Sequence, residues 1–198
     1  MARNYQTRHT LIERALDLSE NAAWEEFIAF YKHLVLSILE QYRVSPNDIA
    51  DLTQVIMIKV SAKLNTYDPS KGKFRTWLGT LTRNEIIMYY RHQQSKKAQV
   101  NANNNSEEIL ASLSTHSNHD LIVEREWQNH IAKIAWDNIQ RDFSANALTS
   151  FDLYVKGLDN ESIAQQTSLS PRSVTIFRSR IKKALRDEAD RLKRDMDH

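Results

Sequence analysis

Cysteine is absent from the 198 residues, and glycine and proline occur three times each. Without thiols there is no disulfide framework and no thiolate metal site, and a reducing compartment is compatible with the chain. Gly72, Gly79 and Gly157 with Pro46, Pro69 and Pro171 are too few for a hairpin-rich sheet or a Gly-rich phosphate loop, so the composition points to an all-α fold. No run approaches the roughly 20 apolar residues of a membrane span. Met1 to Arg14 carries Arg3, Arg8, Glu13 and Arg14 without the apolar stretch of a signal peptide. A soluble, cytoplasmic protein with no membrane partner is therefore expected. Charge does not favour one sign either: 27 Lys and Arg face 25 Asp and Glu, for a net charge of +2. Any contact with nucleic acid must then rest on where the charges sit.

Catalytic patterns are missing as well. There is no G-x-x-x-x-G-K-S/T loop, no G-x-S-x-G elbow and no H-E-x-x-H. His116 and His119 have the spacing of a metal pair but sit in a polar segment without aligned acids. Glu40, Asp48 and Asp51 are the acids a metal-dependent nuclease would need, yet a capping position and a helix surface account for them. No enzyme, cofactor or metal is expected.

What the sequence does contain is helical periodicity. Trp24, Phe27, Ile28, Tyr31, Leu34, Val35, Ile38, Leu39 and Tyr42 recur in steps of three and four, which gives one apolar helix face. A shorter helix is expected before it, Leu11 to Leu18. Ser45-Pro46-Asn47-Asp48 reads as a helix start with Ser as the cap. The helix it opens reaches about Leu64 with Ile49, Leu52, Ile56 and Val60 inward. Val55 and Ile58 lie off that face, more apolar surface than the helix hides by itself. After the turn segment Thr66 to Gly72, a third long helix covers about Phe74 to Gln94.

Composition changes after Ser95. Residues 96–119 are polar and rich in Asn and Ser, and are expected to form a linker with weak internal order. They would span at most roughly 80 Å extended and about 27 Å as a coil. Periodicity returns with Leu121, Trp127, Ile131, Ile134, Ala135 and Ile139. Ser144 caps a further helix carrying Leu148, Phe151 and Val155, which Gly157 ends. Asp159 then caps a short helix holding Ile163 and Ala164, and Ser170-Pro171 opens the last, to about Arg194. The organisation expected is two small helical domains, 1–95 and 120–198, joined by a polar linker, 96–119.

Residues 159–186 have the shape of a helix-turn-helix, whose second helix enters the DNA major groove. At 100° per residue, Ile181 and Leu185 each lie within about 20° of Val174. The opposite side holds Arg172, Thr175, Ile176, Ser179, Arg180, Lys183 and Arg186, and no acid precedes Asp187. Arg172, Ser173, Thr175, Ile176 and Ser179, near the helix start, are placed to meet bases or phosphates first, with Ile176 either against a thymine methyl or simply an exposed apolar residue. Lys182, Lys183 and Arg186 are placed further along, against the backbone.

The N-terminal half carries motifs that resemble a known family. Asp51-Leu52-Thr53-Gln54 is similar to D-L-x-Q in region 2 of sigma-70-type sigma factors. Tyr67 to Leu78, YDPSKGKFRTWL, resembles the family's F-D-P-x-x-G-x-F-R-x-W-L, and Thr82-Arg83-Asn84 resembles its A-R-N. Gly157 to Ala164 and Ser170 to Arg180 resemble region 4. Region 2, a linker and region 4, with no separate regions 1 and 3, is the arrangement of the small extracytoplasmic-function (ECF) group.

The resemblance implies a transcription initiation factor. Asp51, Gln54, Val55 and Ile58 would dock on the β′ clamp helices of the RNA polymerase core, although the family usually has an acid where Val55 stands. Lys71, Lys73, Arg75, Arg83, Asn84 and Arg91 would contact the −10 element as melted single strand, beside Tyr67, Phe74 and Trp77. Interleaved cations and aromatics suit such a strand, while helical spacing favours Phe74 and Trp77 as core. The −35 duplex would fall to Arg172, Ser173, Thr175, Ile176, Ser179, Arg180 and Lys183. Partners implied are the polymerase core with its β′ and β subunits, promoter DNA and, as often in the family, an anti-sigma factor. From the residues alone, a stand-alone helix-turn-helix regulator is the alternative.

Overall fold

The computed structural model describes Ile12, Arg14, Ala15 and residues 21–97, 106–114 and 116–196. All regular elements among these residues are helices, so the fold is all-α. They are α1 (Asn21–Gln41), α2 (Ile49–Lys63), α3 (Phe74–Lys97), α4 (Ser106–Ser114), α5 (His116–Ile139), α6 (Ala145–Val155), α7 (Asn160–Thr167) and α8 (Pro171–Met196). The short helix expected over Leu11 to Leu18 lies largely outside the described residues; Ile12, Arg14 and Ala15 are helical.

Contacts divide the chain into two compact units, with a boundary inside α5 between His130 and Ile131. This differs from the boundaries read from composition. Residues 98–105 of the expected linker lie outside the described residues, but α4 occupies 106–114 of it and buries Leu113 completely. The first half of α5, assigned by sequence to the C-terminal part, belongs to the first unit. Polar composition hid this because the two short apolar stripes involved, Ile109-Leu110-Leu113 and Val123-Trp127, are embedded in Asn, Ser, Glu and His.

In the first unit α1 packs on α2 and α3, and α4 packs on α3. Phe27, Tyr31, Leu34 and Ile38 of α1, Ile56 and Val60 of α2 and Phe74, Leu78 and Ile86 of α3 are buried, and the Phe74 ring meets those of Phe27 and Tyr31 at 5.6 and 4.8 Å between centroids. Trp127 of α5 completes this core, stacked 6.5 Å from Tyr31 and edge-on to Phe30 at 6.2 Å. Such aromatic contacts add about 0.5–1.5 kcal/mol each beyond area burial. Arg43 ends α1 in the left-handed region, φ 55. The Arg43 and Val44 amides donate back to the Glu40 and Leu39 carbonyls at 2.9 and 3.2 Å, the paired bonds that close a helix C-terminus.

Regular α2 starts at Ile49 rather than beside Ser45. Asp48 precedes it and makes no side-chain cap; its carboxylate instead accepts from the Tyr89 hydroxyl at 2.8 Å. The buried face of α2 is Thr53, Ile56, Met57 and Val60, with Ile49 and Leu52 only partly covered. Val55 and Ile58 remain outside.

The second unit, Ile131–Arg194, comprises the end of α5 with α6, α7 and α8. Ser144 caps α6, and Gly157 follows it at φ 92. Asp159 caps α7 by accepting from the Ser162 amide at 2.8 Å. Ser168 turns the chain at φ 56, and Ser170 accepts the Ser173 amide at 3.0 Å to open α8. Ile163, Ala164 and Val174 pack together with Leu158 and Leu169 around this turn. Ile139, Ala147, Phe151 and Ile181 form the second cluster. Leu121 and Val155, both part of the apolar periodicity read from the sequence, are 68% and 67% exposed.

Candidate nucleic-acid and protein interfaces

Asp51, Gln54, Val55 and Ile58 all lie exposed on α2. At 100° per residue they fall within an arc of about 100°. Val55 is 41% and Ile58 61% exposed, so this face combines two uncovered aliphatic side chains with a carboxylate and an amide.

The six residues expected at the −10 element do not form one surface. Asn84 and Arg91 are exposed and, with Met88 between them, form a stripe along α3. Lys71 and Lys73 are exposed in the preceding segment. There Asp68 accepts from the Ser70 amide and hydroxyl at 3.0 and 2.7 Å and lies 3.5 Å from Lys71. The Ser70 hydrogen bonds hold the Asp68 carboxyl below its usual range. The Tyr67 hydroxyl donates to the Gly72 carbonyl at 3.1 Å, which closes the loop. Phe74 is core, and Trp77 is half-buried against it with ring centroids 5.3 Å apart.

Arg75 and Arg83 lie on a different face of α3, about 180° and 100° around the helix from Asn84. With Gly79 they occupy positions i, i+4 and i+8, one line along the helix, and α4 and α5 cover that line. Arg75 is 7% exposed. Its Nε donates to the Glu124 carboxylate of α5 at 2.9 Å, and its guanidinium lies 5.4 Å from the centre of the Trp127 ring. The Val123 side chain seats on Gly79 so closely that a Cβ there would fall 2.7 Å from a methyl. His119 bridges the Gly79 carbonyl, 2.8 Å from Nε2, and the Tyr42 hydroxyl, 2.9 Å from Nδ1. Arg83 donates from Nε to the Leu113 carbonyl of α4 at 2.9 Å and reaches the same oxygen with Nη2. Partial burial pushes the Glu124 carboxyl up. Hydrogen bonds from Gln128 and Arg75 and the charges of Arg75 and Lys73 outweigh it, so the group sits below the usual carboxylate range.

Sequence reasoning missed Glu124, Trp127, His119 and Leu113 as partners of α3. One signal was available: Gly79 is a glycine in the middle of a long helix, in a chain with only three. Such a glycine marks a close approach by another element.

On α8, Arg172, Thr175, Ile176, Ser179, Arg180 and Lys183 are exposed, Ile176 at 42%. They span an arc of about 140° that also includes Arg186. Ser173 is half-buried, and its hydroxyl lies 2.9 Å from that of Ser170 at the cap. The Thr175 hydroxyl donates to the Pro171 carbonyl at 3.0 Å and accepts from Asn160 at 3.2 Å. Two neighbouring cations serve the fold instead. Arg178 donates to Asn160 Oδ1 at 3.0 Å and lies over the Tyr154 ring at 4.9 Å. Lys182 donates to the Tyr154 hydroxyl at 2.7 Å, and this bond, followed by the lysine's charge, lowers the phenol below its ordinary pKa. Among the described residues, no group of three His, Asp or Glu is placed to hold a metal ion, and no helix is long and apolar enough to cross a membrane. The side chain of His116 lies outside the described residues.

No curated protein matches the chain. Residues 27–96, from within α1 to the last turn of α3, match the family model described as Sigma-70 region 2. The outer face of α2 and the Asn84–Arg91 stripe fall inside this span, while α4, α5 and the second unit fall outside it. The match spans 70 of the 198 residues, residues 27–96, so the likeness is to region 2 alone.

Proposed function

We propose that this protein is a sigma factor of the extracytoplasmic-function type, a non-enzymatic, cytoplasmic subunit that directs the RNA polymerase core to promoters. The region 2 match carries the reading. Within that span, the outer face of α2 supports docking on the β′ clamp helices through Asp51, Gln54, Val55 and Ile58. Two aliphatic side chains left in water are accounted for by a protein partner that covers them. The Asn84–Met88–Arg91 stripe and the Lys71–Lys73 segment support contact with the opened −10 strand. Asn84 is suited to a base edge, because its amide both donates and accepts.

For the second unit, the sequence resemblance to region 4 combines with a short helix, a tight turn and a long helix with a basic outer face. This supports a helix-turn-helix that reads the −35 duplex through Arg172, Ser173, Thr175, Ile176, Ser179, Arg180 and Lys183. Two weak DNA contacts on one chain reinforce each other through effective concentration. The two elements are about two helical turns, or about 70 Å, apart. An anti-sigma factor is the natural regulator for such a subunit.

The test is run-off transcription with purified core polymerase on a genomic promoter library. Transcripts that appear only when this protein is added are expected. Binding to palindromic sites as a dimer, with no polymerase association, would establish the stand-alone regulator instead.

A further inference from the structure

Of the side chains expected to meet the −10 strand, the two most enclosed are Arg75 and Arg83, and what encloses them has the chemistry of a nucleic acid. A carboxylate, Glu124, takes the place of a phosphate oxygen at the Arg75 guanidinium. An indole plane, Trp127, takes the place of a base ring beside it. A carbonyl, Leu113, takes the place of a base or phosphate acceptor at Arg83. Val123 closes on Gly79 between the two arginines, and His119 fixes the Gly79 carbonyl. The covering helices α4 and α5 lie beyond the segment that matches region 2.

We propose that α4 and the first half of α5 form an intramolecular mask, which occupies Arg75 and Arg83 in place of single-stranded DNA and must lift before that side of α3 can bind a strand. The proposal rests on the reading of this domain as a binder of the melted −10 strand. Gly79 is the device that lets the mask seat, because any larger residue there meets Val123. Glu124 supplies its charge.

The full-length protein is titrated onto a fluorescein-labelled pool of single-stranded DNA of random sequence, over a range of salt, without polymerase. Glu124→Ala is compared with wild type and with Glu25→Ala, which removes the same charge from an exposed position on α1. Each further phosphate that the protein neutralises adds about 0.7 to the salt slope for a single strand, which is roughly threefold in affinity at about 0.2 M salt. Glu124→Ala is expected to bind about threefold tighter with the steeper slope, Glu25→Ala to bind as wild type does, and Arg75→Gln in the Glu124→Ala background to abolish the increase. Gly79→Ala, with its fold checked by circular dichroism, is expected to act in the same direction. Equal affinity and slope for wild type and Glu124→Ala overturn the mask, as does an equal increase in Glu25→Ala or no strand binding by any variant. The same proteins are carried through run-off transcription with core polymerase. Transcription without a change in strand binding removes the mask and leaves the sigma-factor reading standing. Tighter strand binding without transcription keeps the mask and removes that reading.

Discussion

Replacing Trp127 by Ala tests whether the first half of α5 is part of the first unit's core. The indole is fully enclosed: Tyr31 stacks on it, Phe30 meets it edge-on at 6.2 Å, and Arg75 lies over it. Truncating a large aromatic in such a site costs about 3–5 kcal/mol. Two smaller effects oppose each other. Loss of the cation–π contact adds about 0.5–2 kcal/mol. Against that, the indole Nε1 is buried with no acceptor among the described residues, and removing it relieves a penalty of about 1–3 kcal/mol. The net expectation stays at about 3–5 kcal/mol. A bulk unfolding curve is ill-defined for a chain of two units, so the assay is native-state hydrogen exchange, which reads each region separately. Amides of Ile38, Leu39 and Ile86 should exchange on the order of a hundred- to thousandfold faster, while those of Ile163 and Val174 keep their protection. Leu121→Ala is the control on the same helix: its side chain is largely exposed, so the change should stay within about 0.5 kcal/mol. Unchanged protection in α1 and α3 would refute the placement of Trp127, and equal losses in both units would refute the boundary at His130.

Ile58→Lys should weaken association with core polymerase by about 1.5–3 kcal/mol, the value of burying one aliphatic side chain, without lowering the protein's thermal stability; pull-down titration and a melting curve together check this. Arg172→Ala should cost about 1–3 kcal/mol at the upstream promoter element if the residue reads a base, whereas Lys183→Ala should weaken binding uniformly across sequences and reduce the salt slope; promoter use unaffected by either change would disprove the orientation assigned to α8. Hydrogen bonds from Arg191 hold the Glu188 carboxyl below its ordinary 4.5, against the opposing effect of partial burial and with help from Asn138. A depressed folded pKa gives stability that is fully present above the unfolded value and lost as pH falls through the folded one. Acid exchange protection in the second unit should therefore decline below about pH 4.5, and Glu188→Gln should flatten that decline.

The helices were legible because their signals are local. The three-and-four spacing along α1 placed Phe27, Tyr31, Leu34 and Ile38 inward, and Asp159 and Ser170 announced the starts of α7 and α8 with the capping bonds observed. The exposed face of α2 followed from Val55 and Ile58 lying off its core stripe. What sequence could not give was the partner of each helix face. Arg75 and Arg83 sit in the same motif segment as Asn84, yet the helix turns Arg75 about 180° and Arg83 about 100° away from it, and only the fold of α4 and α5 shows which face is covered. Leu121 entered the apolar periodicity for a related reason: the inward face of α5 is set by Val123, Trp127 and Ile131, and a fourth apolar residue nearby carries no label saying it is surplus.

Nine of the 27 arginines and lysines show how a chain of net charge +2 can present a basic surface. Arg75, Arg178 and Arg191 are held by a carboxylate, an amide or an aromatic face, Arg83 by a backbone carbonyl and Lys182 by a phenol. Their charge is committed to packing. Arg172, Arg180, Lys183 and Arg186 take no such partner among the described residues and stand on one side of α8. Acids on that helix begin only at Asp187, and Glu188 among them is engaged by Arg191 and Asn138. Opposite charges are thus separated along one helix, and within its first four turns the helix itself supplies charge of one sign. Salt screens the field of that charge within a distance of about 10 Å at 0.1 M, comparable to the reach of a side chain to a phosphate. The net charge of the chain is therefore a poor guide to its affinity for DNA, and the charge on the outer arc of α8 is the quantity that matters.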